Sequence, residues 1–382
     1  MQKERIKVLF VIGTRPEAIK LAPLIRAFQS DGAFEPAVCL SGQHGALARE
    51  VLDLFDIRPQ YNITLDTAGK TLSSKSALLM QVLEGVIGQA RPGWIFVQGD
   101  TLTTFCAALA GFYAGIPVAH VEAGLRANGP GGPFPEEAHR KAVADLATLH
   151  FAPTAGAREN LLREAVPERR IFVTGNTGID ALMQISKRAA GAAAAYAGQF
   201  EALAGFPLDG SKKIVTATFH RWENRAEKLE EILAALVAIA GLDSALAVFP
   251  AHPNPAVQQA IGPYRQGPVR FIPPLPYALF VWLLQQSFLI ITDSGGIQEE
   301  AATLGVPLIL VRDTTERQEA LVSGNLQLVG TERGAIAEGV AALWDGGGQY
   351  QRMAQARPLF GDGTASERIL GFFKGYLGLA EG

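Results

Sequence analysis

Three segments of this chain each bring a carboxylate to the point where an apolar, β-branched run stops. Asp100 follows Trp94–Gln98 in Gln98-Gly99-Asp100-Thr101-Leu102-Thr103-Thr104. Glu122 follows Pro117–Val121 in His120-Val121-Glu122-Ala123-Gly124-Leu125-Arg126, and Glu136 with Glu137 follows the glycine-rich loop Asn128–Pro135. Each acid has an ordinary structural reading. Asp100 can cap a helix starting at Thr101, and one of Glu136 and Glu137 can serve only to complement a helix dipole. Glu122 has no such role unless Arg126 pairs with it. Taken together the three are harder to dismiss, because like charges at one edge raise at least one pKa and so supply acid and base near neutral pH.

A second constellation suits phosphate. In Ile291-Thr292-Asp293-Ser294-Gly295-Gly296-Ile297-Gln298-Glu299-Glu300 a strand stops, Ser294, Gly295 and Gly296 present backbone amides, and a helix begins. Glu300, on the first turns of that helix, suits the hydroxyls of a ribose, and Arg317 after the next strand can reach a diphosphate with its guanidinium fork. Near the N-terminus, Gly13-Thr14-Arg15-Pro16-Glu17-Ala18-Ile19-Lys20 reads as a glycine turn followed by a helix start. Pro16 is tolerated in the first helical turn. The helix end, with Arg15 and Lys20 beside it, favours an anion as much as it suggests a plain turn. Of six histidines, His220 is the one expected to do chemistry, at a strand end in Thr216–Asn224 with Arg221 and Glu223 as charged neighbours. His44, His120, His139, His150 and His252 read as structural. No histidine pair has metal-ligand spacing, so no metal is expected.

The elements that must hold these residues alternate along the chain. Lys7–Ile12, Ala37–Leu40, Trp94–Gln98 and Pro117–Val121 are predicted strands, separated by helices over Glu17–Gln29, Ala46–Phe55, Leu72–Gln89 and Thr101–Ala114. The pattern repeats with strands Ile214–Thr218, Ala245–Phe249, Phe288–Thr292 and Pro307–Val311 and helices Leu229–Ala240, Ala278–Gln286 and Ile297–Leu304. Such alternation predicts βαβ units and parallel sheets. A compositional break at Ala189–Ala197, compatible with a helix or a connector, separates the two sets. The expected division is 1–175 and 176–365, near Gly175–Asn176, with a closing helix at Ser366–Leu377 inside a tail, 366–382, that returns to the first domain. The fold class is therefore α/β, two Rossmann-like domains facing a central cleft, and ligands of such sheets bind at the carboxyl ends of the strands.

Bulk properties limit the partners. The chain has 382 residues, 48% hydrophobic and 19% charged, with formal net charge −3. That length exceeds what one core usually serves. The absence of a basic run argues against a nucleic-acid partner. No stretch of about 18 apolar residues suggests a membrane span, and no signal peptide is expected at the N-terminus. Cys39 and Cys106 sit in apolar surroundings without metal or disulfide spacing. A cytoplasmic protein is expected.

The segments GTRPEAIKLAPLI, QGDTLTT, HVEAGLR, PFPEE, VTGNTGIDAL, TFHR, DSGGIQEEAATLGVPL and RDTTER occur in order from Gly13 to Arg317. In them the chain resembles the non-hydrolysing UDP-N-acetylglucosamine 2-epimerases. The resemblance implies a glycosyltransferase-B-like fold and a homodimer, needs no cofactor, and implies C2 epimerisation by loss and re-addition of UDP through a 2-acetamidoglucal. Position by position, it implies acid–base roles for Asp100, Glu122 and Glu136 and a role near the diphosphate for His220. It also implies UDP contacts for Arg15, Lys20, Tyr277, Ser294, Gly295, Gly296, Glu300 and Arg317. Departures occur where many bacterial members bind a second UDP-N-acetylglucosamine as activator. Gln43-His44-Gly45-Ala46-Leu47, with Gln43 and His44 as remnants, and Asp66–Lys70 lack the usual polar groups, so weak or absent activation is expected. Gly129–Gly132, Trp222 and Gln318 also differ from the usual residues. Rival readings are an epimerase for a related UDP-sugar such as a 2,3-diacetamido uronate, a hydrolysing epimerase, a glycosyltransferase of the same fold, and a non-catalytic UDP-sugar sensor.

Overall fold

The computed structural model describes residues 5–43, 45–65, 69–127, 134–219, 226–251, 255–315 and 317–379. The chain divides into two compact units, residues 1–181 with 360–382, and 182–359. The strands of the first are β1 (Ile6–Ile12), β2 (Phe34–Leu40), β3 (Tyr61–Asn62), β4 (Trp94–Gln98), β5 (Val118–Val121), β6 (Leu149–Ala152) and β7 (Ile171–Val173). Its helices are α1 (Arg15–Ser30), α2 (Gly45–Leu54), α3 (Leu72–Ala90), α4 (Leu102–Tyr113), α5 (Glu136–Leu146) and α6 (Ala155–Arg163). Helix α7 (Thr177–Gly191) carries the chain out of this unit after Ala181.

The second unit contains α8 (Ala193–Ala204), β8 (Lys213–Thr218), α9 (Ala226–Ala240), β9 (Ala245–Pro250), α10 (Pro255–Ile261), β10 (Arg270–Ile272), α11 (Tyr277–Gln286) and β11 (Leu289–Thr292). It continues with α12 (Gly295–Leu304), β12 (Leu308–Leu310), α13 (Gln318–Ser323), β13 (Leu326–Leu328), α14 (Arg333–Trp344) and α15 (Gly348–Met353). The last helix, α16 (Ala365–Tyr376), belongs to the first unit. The alanine-rich stretch is thus helical on both sides of Ala192.

Both sheets are parallel and doubly wound. Their orders are β3-β2-β1-β4-β5-β6-β7 and β10-β9-β8-β11-β12-β13. In each, the order reverses where the first strand of the unit meets the fourth, β1 beside β4 and β8 beside β11. Loops leaving such neighbours diverge to opposite sides of the sheet and leave space at the strand ends. Gly13 and Asp100 follow the first such pair, and Ser294 follows β11 in the second.

The first unit's core explains the return of α16. Phe373, fully buried, meets Phe28 of α1, Phe34 of β2 and Trp94 and Phe96 of β4 with ring centroids 5.0–5.7 Å apart. Aromatic packing of this kind adds to simple area burial. Lys374 completes the seam with an ion pair to Asp31 at 2.9 Å. The start of α16 is fixed by Asp180 of α7, a buried carboxylate that accepts from the N–H groups of Ala365 at 3.1 Å and Ser366 at 2.7 Å. No helix among the described residues is long and apolar enough to cross a membrane.

Candidate active site

In the loop after β1, which the sequence allows as an anion site or a plain turn, a carboxylate of the chain itself takes two amides. Glu17, buried in the first turn of α1, accepts from the N–H groups of Gly13 and Thr14, each at 2.6 Å. Its other oxygen accepts from the hydroxyls of Thr101 and, at 3.0 Å, Thr104. The Gly13 and Thr14 amides are therefore occupied by the protein's own carboxylate, which also ties α1 to the start of α4. Burial pushes the Glu17 pKa above the ordinary glutamate value, against the pull of these four donors. The spacing Thr14-x-x-Glu17 is that of a capping box, and this was the signal in the sequence that could have found it. Gly13 is needed for close approach rather than a turn. A Cβ there would lie 2.1 Å from Thr103 Oγ1 and 3.0 Å from Ser41 Oγ. Gln43 belongs to the same knot, its Oε1 accepting from Thr103 at 3.1 Å.

The three expected carboxylates come together. Asp100 is not the cap of α4. Thr101 is, accepting from the Thr104 N–H at 3.2 Å, which leaves the Asp100 side chain to ion-pair with Arg140 of α5. Glu122 does not pair with Arg126, which instead holds Glu164 with Nε at 2.8 Å. Its partners are Lys20, by an ion pair, and Asn176, whose Nδ2 donates at 3.1 Å. Glu122 also has φ 62°, a left-handed backbone that costs a non-glycine residue on the order of 1–3 kcal/mol and is concentrated at functional sites. Lys20, expected to contact UDP, pairs with a carboxylate of the chain.

Glu136 opens α5 and, among the described residues, takes no hydrogen-bond or ion-pair partner, while its neighbour Glu137 holds Arg140 at 2.6 Å. The pair of acids divides between a free carboxylate and a structural one. Electrostatics link the set. Burial raises the Asp100 pKa, Arg140 opposes it, Glu122 raises it further, Lys20 opposes it, and Glu136 raises it. A carboxyl group whose pKa is raised beside other carboxylates is suited to proton transfer. Sequence reading missed Arg140 and Asn176, since nothing local shows that residues 40 and 54 positions away will meet Asp100 and Glu122.

In the second unit, Ser294 is the N-cap residue of α12, and its side chain makes no capping bond. The Ser294 N–H donates to Thr292 Oγ1 at 3.1 Å, and Thr292 is itself bonded to Thr218 at 2.8 Å, which fixes the loop across β8 and β11. A Cβ on Gly296 would meet nothing within 4 Å, so there is open space beside that residue. Arg317 is buried and donates from Nε to Glu299 at 2.9 Å, and the Tyr277 hydroxyl donates to Glu300 at 3.2 Å. The second unit therefore assembles Ser294, Gly295, Gly296, Glu299, Glu300, Tyr277 and Arg317 around one helix start. His44, His220 and Trp222 lie outside the described residues.

Comparison with known proteins decides the family. Residues 26–374 match the family described as UDP-N-acetylglucosamine 2-epimerase. This chain belongs to the UDP-N-acetylglucosamine 2-epimerase family. It is 44% identical over 374 residues to the UDP-N-acetylglucosamine 2-epimerase of Yersinia pestis, covering 97% of this chain and 99% of that protein. The enzyme of Escherichia coli strain K12 is 43% identical over 370 residues, covering 96% and 97%. Among solved structures, the Neisseria meningitidis UDP-GlcNAc 2-epimerase bound to UDP-GlcNAc superposes with a TM-score of 0.91 at 38% identity, covering 96% of this chain and 99% of that one. The two parallel α/β sheets are thus those of the epimerase family, as the motifs implied.

Proposed function

We propose that this epimerase-family chain interconverts UDP-N-acetylglucosamine and UDP-N-acetylmannosamine. One carboxylate takes the C2 proton of the sugar, the C1–O bond breaks, and UDP leaves with the bonding electrons, giving a 2-acetamidoglucal with a C1–C2 double bond. UDP then adds back at C1 while a second carboxyl group delivers a proton to the other face of C2. Asp100, Glu122 and Glu136 are assigned these transfers, with Lys20 balancing the charge of Glu122. The amides of Gly295 and Gly296 and the uncapped Ser294 hydroxyl take diphosphate oxygens, Glu300 and Tyr277 take the nucleoside, and Arg15, Arg317 and His220 complete the charge balance around departing UDP.

The observation that carries the reading is the convergence of Asp100, Glu122 and Glu136, with Asp100 pushed toward its protonated form. A binding protein gains nothing from placing three acids where an anionic ligand's sugar must sit. The test is incubation with UDP-N-acetylglucosamine in deuterated water, followed by proton NMR. Deuterium at C2 of an intact UDP-sugar is expected. Free N-acetylmannosamine with UDP would mark a hydrolysing enzyme, and absence of exchange would overturn the assignment. Running the 2,3-diacetamido uronate relative in parallel decides the sugar. Cys39 and Cys106, both buried thiols, suit the reducing cytoplasm in which we place the enzyme.

A further inference from the structure

Asp100 is held in both its side chain and its backbone, and much of that hold comes from α5. Glu136, Glu137, His139 and Arg140 lie within its first five residues, and positions 136, 137 and 140 share a helix face by their three- and four-residue spacing. The Arg140 side chain, 7% exposed, divides its guanidinium between two acids. One terminal nitrogen ion-pairs with Asp100 Oδ2, and the other donates to Glu137 Oε2 at 2.6 Å. Glu137 is itself anchored, the same oxygen accepting from the Ala127 N–H at 3.2 Å.

The backbone of Asp100 is gripped as well. His139 Nδ1 lies 3.0 Å from the Asp100 carbonyl oxygen, which only a protonated nitrogen can serve, and its ring stacks on Phe105 at 5.2 Å and 7°. His120 Nε2 lies 2.7 Å from the preceding carbonyl, that of Gly99. Two successive carbonyls and the carboxylate are thus each held by a separate side chain, whereas Glu136, on the same helix, is held by none among the described residues.

We propose that Glu137 and Arg140 form a positioning pair for Asp100, fixing the orientation of its carboxylate and stabilising its anionic form beside Glu122 and Glu136. The proposal rests on the acid–base role given to Asp100 above. Among the described residues, the charged groups that act on Asp100 are Lys20 of α1, Glu122 after β5, and Glu136 and Arg140 of α5. Arg140 is the strongest of those opposing the effect of burial, so its removal leaves Asp100 protonated to higher pH.

The experiment titrates the Asp100 carboxyl group by carbon-13 NMR in the full-length protein labelled at aspartate, the resonance assigned with Asp100→Asn. Wild type, Arg140→Met, Arg140→Lys and Glu137→Gln are compared, and the pH–rate profile is recorded for each. In Arg140→Met the Asp100 titration and the matching limb of the rate profile move upward by about one pH unit or more. Arg140→Lys recovers part of the shift, and Glu137→Gln moves the titration in the same direction by less. The loss falls on kcat, with KM changed less than about threefold. Unshifted titration of Asp100 in Arg140→Met and Glu137→Gln would overturn the proposal, as would lower thermal stability with an unaltered profile. If Arg140→Met does not fold, the other two variants carry the test. If the wild-type protein fails to exchange deuterium at C2, the functional reading falls, while the NMR titration still decides the positioning role.

Discussion

Removing the Glu17 carboxylate should turn a closed helix end into an anion site. In Glu17→Ala the N–H groups of Gly13 and Thr14 lose their acceptor in a buried setting. The Thr104 hydroxyl still has the Gln98 carbonyl at 2.6 Å, and Thr101 still has Thr104 at 3.2 Å, so the hydroxyls can re-partner and the amides cannot. Each orphaned buried donor costs about 1–3 kcal/mol, which puts the loss at about 4 kcal/mol. For a unit of this size that lowers Tm by about 10 °C. Glu17→Gln keeps an oxygen for both amides and should cost only about 1–2 kcal/mol, the difference between charged and neutral hydrogen bonds. Calorimetric melting of the three proteins measures this directly. A decisive arm adds sodium formate. At ten times its dissociation constant formate should return about 1.4 kcal/mol to Glu17→Ala, and it should leave the wild type unmoved because the site is filled. Equal losses in Ala and Gln variants, or equal stabilisation of wild type by formate, would refute the reasoning.

Four further outcomes are expected. Asp100→Asn and Glu122→Gln should each slow C2 deuterium exchange by about 10²–10⁴-fold, the usual worth of a positioned acid or base, with UDP affinity measured by calorimetry little changed. Burial pushes His120 down to about 4 and His150 down to about 3. Below the unfolded value of about 6.5 the unfolded chain therefore binds protons that the folded chain refuses, and stability falls as pH drops from 6.5 toward 4. Urea unfolding across that range should show the slope, and His150→Leu should flatten it. Gly13→Ala should destabilise by about 2–4 kcal/mol through overpacking against Thr103 and loss of its bond to Ser41; adding Thr103→Gly should recover most of this, and adding Thr103→Ala less, in thermal melts. Initial rates should depend hyperbolically on UDP-N-acetylglucosamine, and sigmoidal rates would show that the activator pocket works despite its altered residues.

The alternation of apolar runs with amphipathic segments determined the fold class and, within a few residues, the strands that carry Gly13, Asp100, Glu122 and Ser294. Short edge strands such as Tyr61–Asn62 and Ile171–Val173 went unseen, being too brief to show a period of their own. Residue type and position at strand ends also named the three acids and the amides at Ser294–Gly296, because chemistry of this kind needs particular side chains at a particular place on the sheet. Partners were a different matter. Lys20 with Glu122, Arg140 with Asp100, Glu17 with Thr101 and Thr104, and Asp180 with Ala365 and Ser366 join residues far apart in the chain. No local pattern encodes such meetings, since they follow from which loops the doubly wound order sets side by side. The sequence by itself therefore determined which groups could carry the chemistry. Only the tertiary structure decided which acid is gripped by Arg140 and which takes no hydrogen-bond or ion-pair partner among the described residues.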